Sequence, residues 1–227
     1  IAGYSQVIVV VSAMGDMTNE LMTLAHQVSK NPQEREQDML ISVGERISMA
    51  LLAMALKDRG HDAISLTGSQ SGIITCSRHS DARIVAIRPN RLIQHMKEGK
   101  IVIVAGFQGV SETKEITTLG RGGSDTSAVA LGVALKACKV EFYKDVKGVY
   151  SEDPKKGKGE LFSNLNYDKA LNLSKKSAFI LHSRAISLAS KNRVPLHVLS
   201  FRKDEREAFP GTWIEDGRSR ARGKDSV

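Results

Sequence analysis

The sequence predicts an α/β fold in which helices cover both faces of a mainly parallel central sheet, a three-layer αβα sandwich. Short, continuous apolar runs of the kind found in buried parallel strands alternate along the chain with longer segments of helical apolar spacing. Strands joined by helices from end to end are typical of such sheets. At 227 residues, with 41% apolar and 26% charged residues, the chain can bury a sizeable core.

The individual elements follow from the apolar spacing. The apolar runs predict strands at residues 7–11, 63–66, 83–87, 101–105, 140–143 and 195–199. The segments between them predict helices at residues 17–28, 36–59, 90–97, 124–136, 167–173 and 178–191. Gly44 interrupts the second helix, and Gly60 closes it at the C′ position, where a left-handed residue is favoured.

Candidate functional residues follow three of the predicted strands. Ser12, Gly106 and Asp145 stand where a strand gives way to a turn. Ligands in parallel α/β sheets bind at the carboxyl ends of the strands. We therefore expect the functional site at that edge of the sheet.

The most informative segment is residues 117–128, which read TTLGRGGSDTSA. Gly122 and Gly123 lack a Cβ, so the backbone can bend sharply there and let an anion approach. Ser124 is a good N-cap for a helix whose first N–H groups form a positive dipole end. Arg121 adds a planar fork for a carboxylate or phosphate. With Asp125, these residues predict an anion-binding helix start with an acid beside it, rather than a plain turn.

Two other segments are open to two interpretations. Ser12, Gly15 and Thr18 lie in a turn that enters a helix, and they could bind phosphate or carboxylate oxygens or simply form a capping turn; the sequence favours neither. Glu45, after the interruption at Gly44, could accept an ammonium group or occupy the first turn of a helix. Taken alone, Glu45 favours the second interpretation.

Residues 142–154, FYKDVKGVYSEDP, predict a nucleotide-binding loop. Asp145 lies at a strand end, Gly148 permits a turn, and Tyr150 offers a flat face and a hydroxyl. An adenine or ribose could rest against this loop while Lys155 reaches the phosphates. A surface hairpin is the alternative, and it is less favoured because polar and aromatic residues alternate without an apolar face.

Composition argues against several function classes. The net charge of +8 lies in short clusters and the C-terminal tail, and the aromatic residues (5%) do not interleave with them, so nucleic-acid binding is not predicted. No apolar run is expected to cross a membrane. Cys76 and Cys138 stand in unrelated contexts, which predicts no disulfide framework and a reducing cytosol. The six histidines lack metal-ligand spacing, so no side-chain metal site is predicted.

These motifs resemble the catalytic domain of the aspartate kinases, in the amino acid kinase family. The resemblance rests on VVVSAMGDMTNEL, GERIS, TGSQSG, VAGFQG, TTLGRGGSDTSA and YKDVKGVYSEDP, which span nearly the whole chain. The TTLGRGGSD run is highly specific within the superfamily, and the similarity is greatest to bacterial aspartokinases built from a long chain and a short regulatory chain. The resemblance implies the amino acid kinase fold. It also implies transfer of the γ-phosphoryl group of ATP, with Mg²⁺, to the β-carboxylate of L-aspartate, the first step toward lysine, threonine and methionine.

The resemblance also implies roles for individual residues. The substrate would be bound by Thr18, by Glu45 at its α-amino group, and by Arg121, Gly122, Gly123 and Ser124 at its carboxylates. Arg121 and Asp125 would be the catalytic residues, with Asp125 orienting the phosphate-binding lysine. The nucleotide would contact Ser12, Tyr143, Lys144, Asp145, Val149, Tyr150, Ser151, Glu152, Asp153, Pro154 and Lys155. No general base is needed, because the attacking carboxylate is already ionised at neutral pH.

The sequence departs from the family pattern in three places. The family begins with a Lys-Phe/Tyr-Gly-Gly strand whose lysine contacts the transferring phosphate, and this sequence starts downstream of it. Phe179 stands where relatives often carry a lysine, so that contact is absent or comes from Lys175 or Lys176. Lys144 and Lys147 stand where many relatives carry Thr or Ser and Asp.

We therefore expect a kinase-domain fragment over residues 1–214, without the N-terminal Lys-Gly-Gly strand, and a disordered basic tail at residues 215–227 in place of regulatory domains. Such a fragment can be inactive as it stands. The resemblance also implies a cytoplasmic enzyme that forms a homodimer or a hetero-oligomer with a regulatory chain, with no nucleic-acid or membrane partner.

Two rival functions stay open. The first is another kinase of the family, acting on glutamate, acetylglutamate, carbamate or UMP; Arg121 and Glu45 together favour a free amino acid over a nucleotide or an N-acylated substrate. The second is a catalytically silent module that binds nucleotide or partner chains. The missing lysine supports this module, and the intact Arg-Gly-Gly-Ser-Asp run argues against it.

Overall fold

The structure is a computed structural model that describes residues 6–152, 157, 159–175 and 180–216. The chain divides into two compact units, Ile1–Leu131 and Gly132–Val227. Several residues with predicted roles lie outside the described part: Asp153, Pro154, Lys155, Lys176, Phe179 and the tail from residue 217 onward.

The first unit contains two sheets. A parallel sheet has the strand order β1-β5-β2, and a mixed sheet has the order β4-β3-β6-β7, with β3 and β6 parallel and the edge strands antiparallel. The strands are β1 (Ile8–Val11), β2 (Ala63–Leu66), β3 (Ile73–Thr75), β4 (Ile84–Ile87), β5 (Ile101–Ala105), β6 (Gln108–Ser111) and β7 (Ile116–Thr118). The helices are α1 (Met17–Val28), α2 (Glu34–Ile41), α3 (Val43–Lys57), α4 (Asn90–Lys97) and α5 (Gly123–Ala134), which runs past the unit boundary.

The core of the first unit lies between α3 and the parallel sheet. Met49 and Ala53 of α3 pack against Ile103 and Ala105 of β5. By length and composition the helical stretch Glu34–Lys57 could cross a membrane, so the expectation that no segment reaches that length is wrong. This stretch supplies core residues to the sheet, while Val43, Ile47, Leu51 and Met54 are exposed, so packing within the unit explains only part of its apolar composition.

The second unit is built on a four-stranded mixed sheet of order β11-β13-β12-β8, beside a two-stranded hairpin of β9 and β10. In the sheet, β8 and β12 are parallel, β12 and β13 antiparallel, and β13 and β11 parallel. The strands are β8 (Val140–Lys144), β9 (Val149–Tyr150), β10 (Leu161–Phe162), β11 (Asn164–Leu165), β12 (Leu196–Ser200) and β13 (Thr212–Ile214). The helices are α6 (Tyr167–Ser174), α7 (Ser183–Asn192) and α8 (Lys203–Ala208).

The predicted fold class is confirmed, with two local corrections. The second predicted helix breaks at Ser42 rather than Gly44, where the Ser42 hydroxyl donates to the carbonyl of Met39 at 3.0 Å and the Ser42 carbonyl accepts from Nε2 of Gln108 at 2.8 Å. Such bonds compete with the helical ladder. The last long helix begins at Ser183 because His182 caps it, with Nδ1 accepting from the N–H of Arg184 at 3.3 Å.

Candidate functional site

The first half of the predicted site is built at the carboxyl ends of β1 and β5. These strands pair in parallel with Val11 opposite Ala105, so Ser12 and Gly106 leave the sheet at the same edge. A Cβ on Gly106 would lie 3.0 Å from the Cα of Ser124, so the start of α5 packs directly on this strand end. The topology therefore brings the turn after β1 and the glycine-rich segment to the same edge of the sheet.

The glycine-rich segment makes a tight left-handed turn before α5. Gly120 and Gly122 each have φ of 70°, a conformation that costs glycine little. Gly123 packs so closely that a Cβ there would lie 2.7 Å from Cδ2 of Phe107. The helix starts at Gly123, and the carbonyl of Gly122 accepts from the N–H of Thr126 at 3.0 Å. The predicted N-cap role of Ser124 is therefore wrong, because the helix begins one residue earlier.

Ser127 is a residue of this site that the sequence did not single out. Its Oγ donates to the carbonyl of Gly123 at 2.8 Å and accepts from the N–H of Phe107 at 3.1 Å. Phe107 has φ of 66°, an uncommon value for a side chain of that size, and Ser127 holds it there. The signal was its position one helical turn after Gly123 within the same motif.

The charged groups of the turn differ in exposure. Arg121 is exposed, and no ion pair or hydrogen bond joins it to another described residue. Ser124 and Asp125 are half-buried in the first turn of α5, where an acidic group is favoured by the helix dipole. The turn therefore presents a guanidinium that is available to an anion from solution.

Glu45, in the first turn of α3, is only 3% exposed. Its Oε1 accepts from the N–H of Ala13 at 3.1 Å, whereas its Oε2 is buried and has no hydrogen-bond partner among the described residues. Burial raises the pKa of Glu45 to about 7. A Cβ on Gly44 would lie 2.8 Å from the Cβ of Ala13, so only glycine lets α3 approach the turn this closely. A first-turn acid placed there for the helix dipole alone would not need this burial.

The turn between β1 and α1 is tight, with Gly15 at φ of 54°. Ser12 is exposed and Thr18, in the first turn of α1, is half-buried. Asp16, at the N-cap of α1, makes no side-chain capping bond. This turn therefore leaves both sequence interpretations possible, and ligand binding by Ser12 and Thr18 stays a prediction.

The residues predicted to bind the nucleotide lie in the second unit. Tyr143 is 54% exposed near the end of β8, and Asp145 is exposed just beyond it. Val149 is buried and its N–H donates to Oγ1 of Thr212 at 2.8 Å. Of the other predicted contacts, Lys144, Tyr150 and Ser151 are half-buried and Glu152 is exposed.

The hairpin that the sequence offered as an alternative is present. β9 and β10 pair with Tyr150 opposite Leu161, and the N–H of Ser151 donates to the carbonyl of Glu160 at 2.9 Å. A hairpin can carry a nucleotide as well as a free loop can, so both interpretations describe part of this region. Nucleotide contacts by these residues stay predictions. Among the residues that the structure describes, no group of three His, Cys, Asp or Glu could hold a metal ion.

Comparison with known proteins gives consistent matches. The model of the amino acid kinase family matches residues 1–200. An aspartokinase from Geobacillus stearothermophilus is 51% identical over 213 residues, which are 93% of this chain and 51% of that protein. The crystal structure of aspartate kinase from Synechocystis matches with 45% identity and a TM-score of 0.77, over 92% of this chain and 34% of that one.

A second solved structure, E. coli aspartokinase III in complex with aspartate and ADP, matches with 26% identity and a TM-score of 0.76. The match covers 88% of this chain and 45% of that one. The chain spans about half the length of the curated relatives it matches.

Proposed function

The chain belongs to the amino acid kinase family, and on that premise we propose that it transfers the γ-phosphoryl group of ATP to the β-carboxylate of L-aspartate, giving 4-phospho-L-aspartate. The observation that carries this proposal is the buried Oε2 of Glu45, which has no partner among the described residues. The E. coli relative bound to aspartate and ADP supports the choice of substrate and nucleotide.

Glu45 favours a substrate with a free ammonium group. A buried carboxylate without a compensating charge costs several kcal/mol, and a bound ammonium both neutralises the charge and gives Oε2 a hydrogen-bond donor. Aspartate and glutamate supply such a group, whereas acetylglutamate, carbamate and UMP do not. Glu45 therefore favours a free amino acid as the substrate.

Arg121 and the start of α5 would hold the carboxylates of this amino acid. The exposed guanidinium can form a bidentate pair with one carboxylate, and Gly122 and Ser124 can supply backbone N–H groups or a hydroxyl to the other. The N–H of Gly123 already donates to the carbonyl of Gly120 at 3.0 Å, so Gly123 would contribute by its lack of a side chain. The attacking carboxylate is ionised at neutral pH, so rate enhancement comes from positioning and charge stabilisation. Thr18 would add a hydroxyl to the substrate site.

ATP and Mg²⁺ would enter together. Mg²⁺ in such sites is usually held by one or two carboxylates and the phosphates of the nucleotide. The nucleotide would contact Ser12 and the segment from Tyr143 to Lys155. Asp125 would orient the phosphate-binding lysine of the upstream strand.

Residues 1–214 would form the kinase domain of this enzyme. We propose a cytoplasmic location and assembly as a homodimer or with a regulatory chain. The aspartokinase relatives support the kinase-domain assignment, since their match covers 93% of this chain.

Calorimetry tests substrate choice directly. In the presence of ADP–Mg²⁺, we expect L-aspartate to release heat of binding, L-glutamate to bind more weakly, and N-acetyl-L-aspartate and UMP to give no heat. A catalytically silent partner-binding module would show no heat with aspartate. Strong binding of UMP, or equal binding of N-acetyl-L-aspartate, would contradict the role of Glu45.

A hydroxamate assay tests the reaction. Adding the family's Lys-Gly-Gly segment upstream of Ile1 should produce aspartyl phosphate, trapped as its hydroxamate. In that longer chain, Asp125→Asn should lower kcat with little effect on the KM for aspartate, because Asp125 acts on the phosphate side. The reaction is disproved if the longer chain binds both substrates and forms no hydroxamate.

A further inference from the structure

Asp38 of α2 is fully buried, and its carboxylate joins two distant segments. Oδ1 accepts from Oγ1 of Thr118 at 2.6 Å, and Oδ2 accepts from Nδ1 of His79 at 2.8 Å. The N–H of Ser80 lies 3.1 Å from each of the two oxygens. These bonds attach α2 both to the loop that precedes β4 and to the last residue of β7.

The two segments that Asp38 binds support the Arg121 turn, which comprises residues 119–123. The carbonyl of Thr118 accepts from the N–H of Ala82 at 2.9 Å. A Cβ on Gly120 would lie 3.0 Å from the carbonyl oxygen of Ser80, so the turn rests directly on that loop. Ser80 itself has φ of 61°, which a non-glycine residue adopts only when its surroundings hold it there.

The other end of α2 leads to Glu45. Ser42, where α2 gives way to α3, is fully buried, and its carbonyl accepts from Nε2 of Gln108 at 2.8 Å. One short helix therefore carries the anchor of the Arg121 turn at Asp38 and ends four residues before Glu45. Under the proposed function, Arg121 binds a carboxylate and Glu45 binds the ammonium of the same amino acid.

We propose that Asp38 is a positioning residue that fixes the Arg121 turn relative to Glu45 and so sets the affinity for the amino-acid substrate. Its buried carboxylate serves this purpose because it accepts from three donors at once, which a neutral amide of the same size cannot do. The substrate part of this inference rests on the proposed function. The inference that Asp38 immobilises the turn is independent of the proposed function.

Amide hydrogen exchange tests the immobilisation. Asp38→Asn and Thr118→Val each remove bonds from the carboxylate, and we expect both to speed exchange at residues 119–123 by roughly tenfold or more. Thr118→Ser keeps the hydroxyl and should exchange like the wild type. Strand β12 of the second unit serves as the internal reference. If Asp38→Asn does not fold, Thr118→Val against Thr118→Ser decides the outcome.

Kinetics of the chain extended by the Lys-Gly-Gly segment test the effect on substrate. Asp38→Asn should raise the KM for aspartate roughly tenfold while kcat and the KM for ATP change less than about twofold. In an Arg121→Ala background the same substitution should add nothing, because Asp38 acts through Arg121. The proposal would be overturned if exchange at residues 119–123 did not change. It would also be overturned if Asp38→Asn raised the KM for aspartate as much in the Arg121→Ala background as in the wild type. If the wild type binds no aspartate, the proposed function fails, and the exchange result still decides whether Asp38 holds the turn.

Discussion

The candidate residues of the two units are built into the fold in different ways. In the first unit, the glycines at 44 and 123 leave no room for a Cβ, and a buried carboxylate at Glu45 faces the turn after β1. In the second unit, the candidate side chains Tyr143 and Asp145 are exposed, although Gly148 in the same segment is closely packed, with a Cβ there lying 2.5 Å from Oγ1 of Thr212. An added methyl group at Gly44, Gly123 or Gly148 should therefore disturb the fold, because each of these glycines is closely packed. Exposed side chains such as Tyr143 should tolerate replacement better, and the departures from the family pattern at Lys144 and Lys147 lie among the candidate residues of the second unit.

The largest effect is expected at Arg121. Arg121→Ala should raise the KM for aspartate about 10- to 100-fold, because loss of a charge-assisted contact to a carboxylate costs roughly 1.5–3 kcal/mol. The KM for ATP should stay within about twofold of the wild type. Steady-state kinetics of the extended chain measures both constants. Arg59, just beyond α3, offers a matched control, since Arg59→Ala removes an exposed arginine that has no assigned role. An unchanged KM for aspartate would remove Arg121 from the site.

Glu45→Gln should weaken substrate binding and stabilise the fold. The ammonium of aspartate loses its carboxylate partner, so the Kd for aspartate should rise roughly tenfold or more. The folded-state pKa of Glu45, about 7, is above the ordinary value of 4.5, so the folded chain binds the extra proton between these values. The free energy of unfolding of the wild type therefore falls as pH rises from about 4.5 to 7, and glutamine removes this dependence.

Denaturant unfolding at pH 5 and pH 8 measures the second effect. At pH 8 the Glu45→Gln chain should be more stable than the wild type by roughly 1–3 kcal/mol, and at pH 5 the two should be similar. Bound aspartate should reduce the difference at pH 8, since its ammonium favours the ionised carboxylate. Loss of stability at pH 8 together with unchanged aspartate binding would show that Glu45 has a structural role instead.

Gly44→Ala tests the tight packing around Glu45 in the first unit. The new Cβ would lie 2.8 Å from the Cβ of Ala13, and overpacking of this kind typically costs about 1–3 kcal/mol of unfolding free energy. It should also raise the Kd for aspartate, because Glu45 moves with α3. The double variant Gly44→Ala with Ala13→Gly moves the methyl group to the other side of the contact and should recover most of both losses. Absence of any recovery would mean that the contact does not position Glu45.

The sequence predicted those parts of the molecule whose pattern is local. The bounds of α1 and β5 agree with the predicted ones because their apolar spacing is continuous. The strands β3, β6 and β7 were missed, since they are only three or four residues long and β6 and β7 bury polar side chains such as Gln108 and Thr118. No periodicity distinguishes such strands from loops.

The residues of the candidate site also divide into those that a local sequence pattern could predict and those that it could not. The roles of Arg121 and its glycines could be proposed from residue type alone, because a cationic fork beside a glycine turn has few other uses. The burial of Glu45 could not be predicted from residue type, since an acid in the first turn of a helix is ordinarily solvated. Asp38 was missed entirely, because its donors at residues 79, 80 and 118 are more than 40 residues away along the chain. Contacts at that separation are a product of the fold and leave no local pattern.

The smallest effect is expected in the second unit, at Tyr150. Tyr150→Phe keeps the flat face on which a base or ribose could rest and removes only the hydroxyl, so the KM for ATP should rise less than about threefold. Tyr150→Ala also removes the face, and loss of stacking should raise that KM further, by roughly 1–3 kcal/mol of binding free energy. The KM for aspartate should not change in either variant. If Tyr150→Phe instead matched the effect of Arg121→Ala, the hairpin would have to hold its ligand as rigidly as the packed turn of the first unit does, and the contrast between the candidate residues of the two units would be wrong.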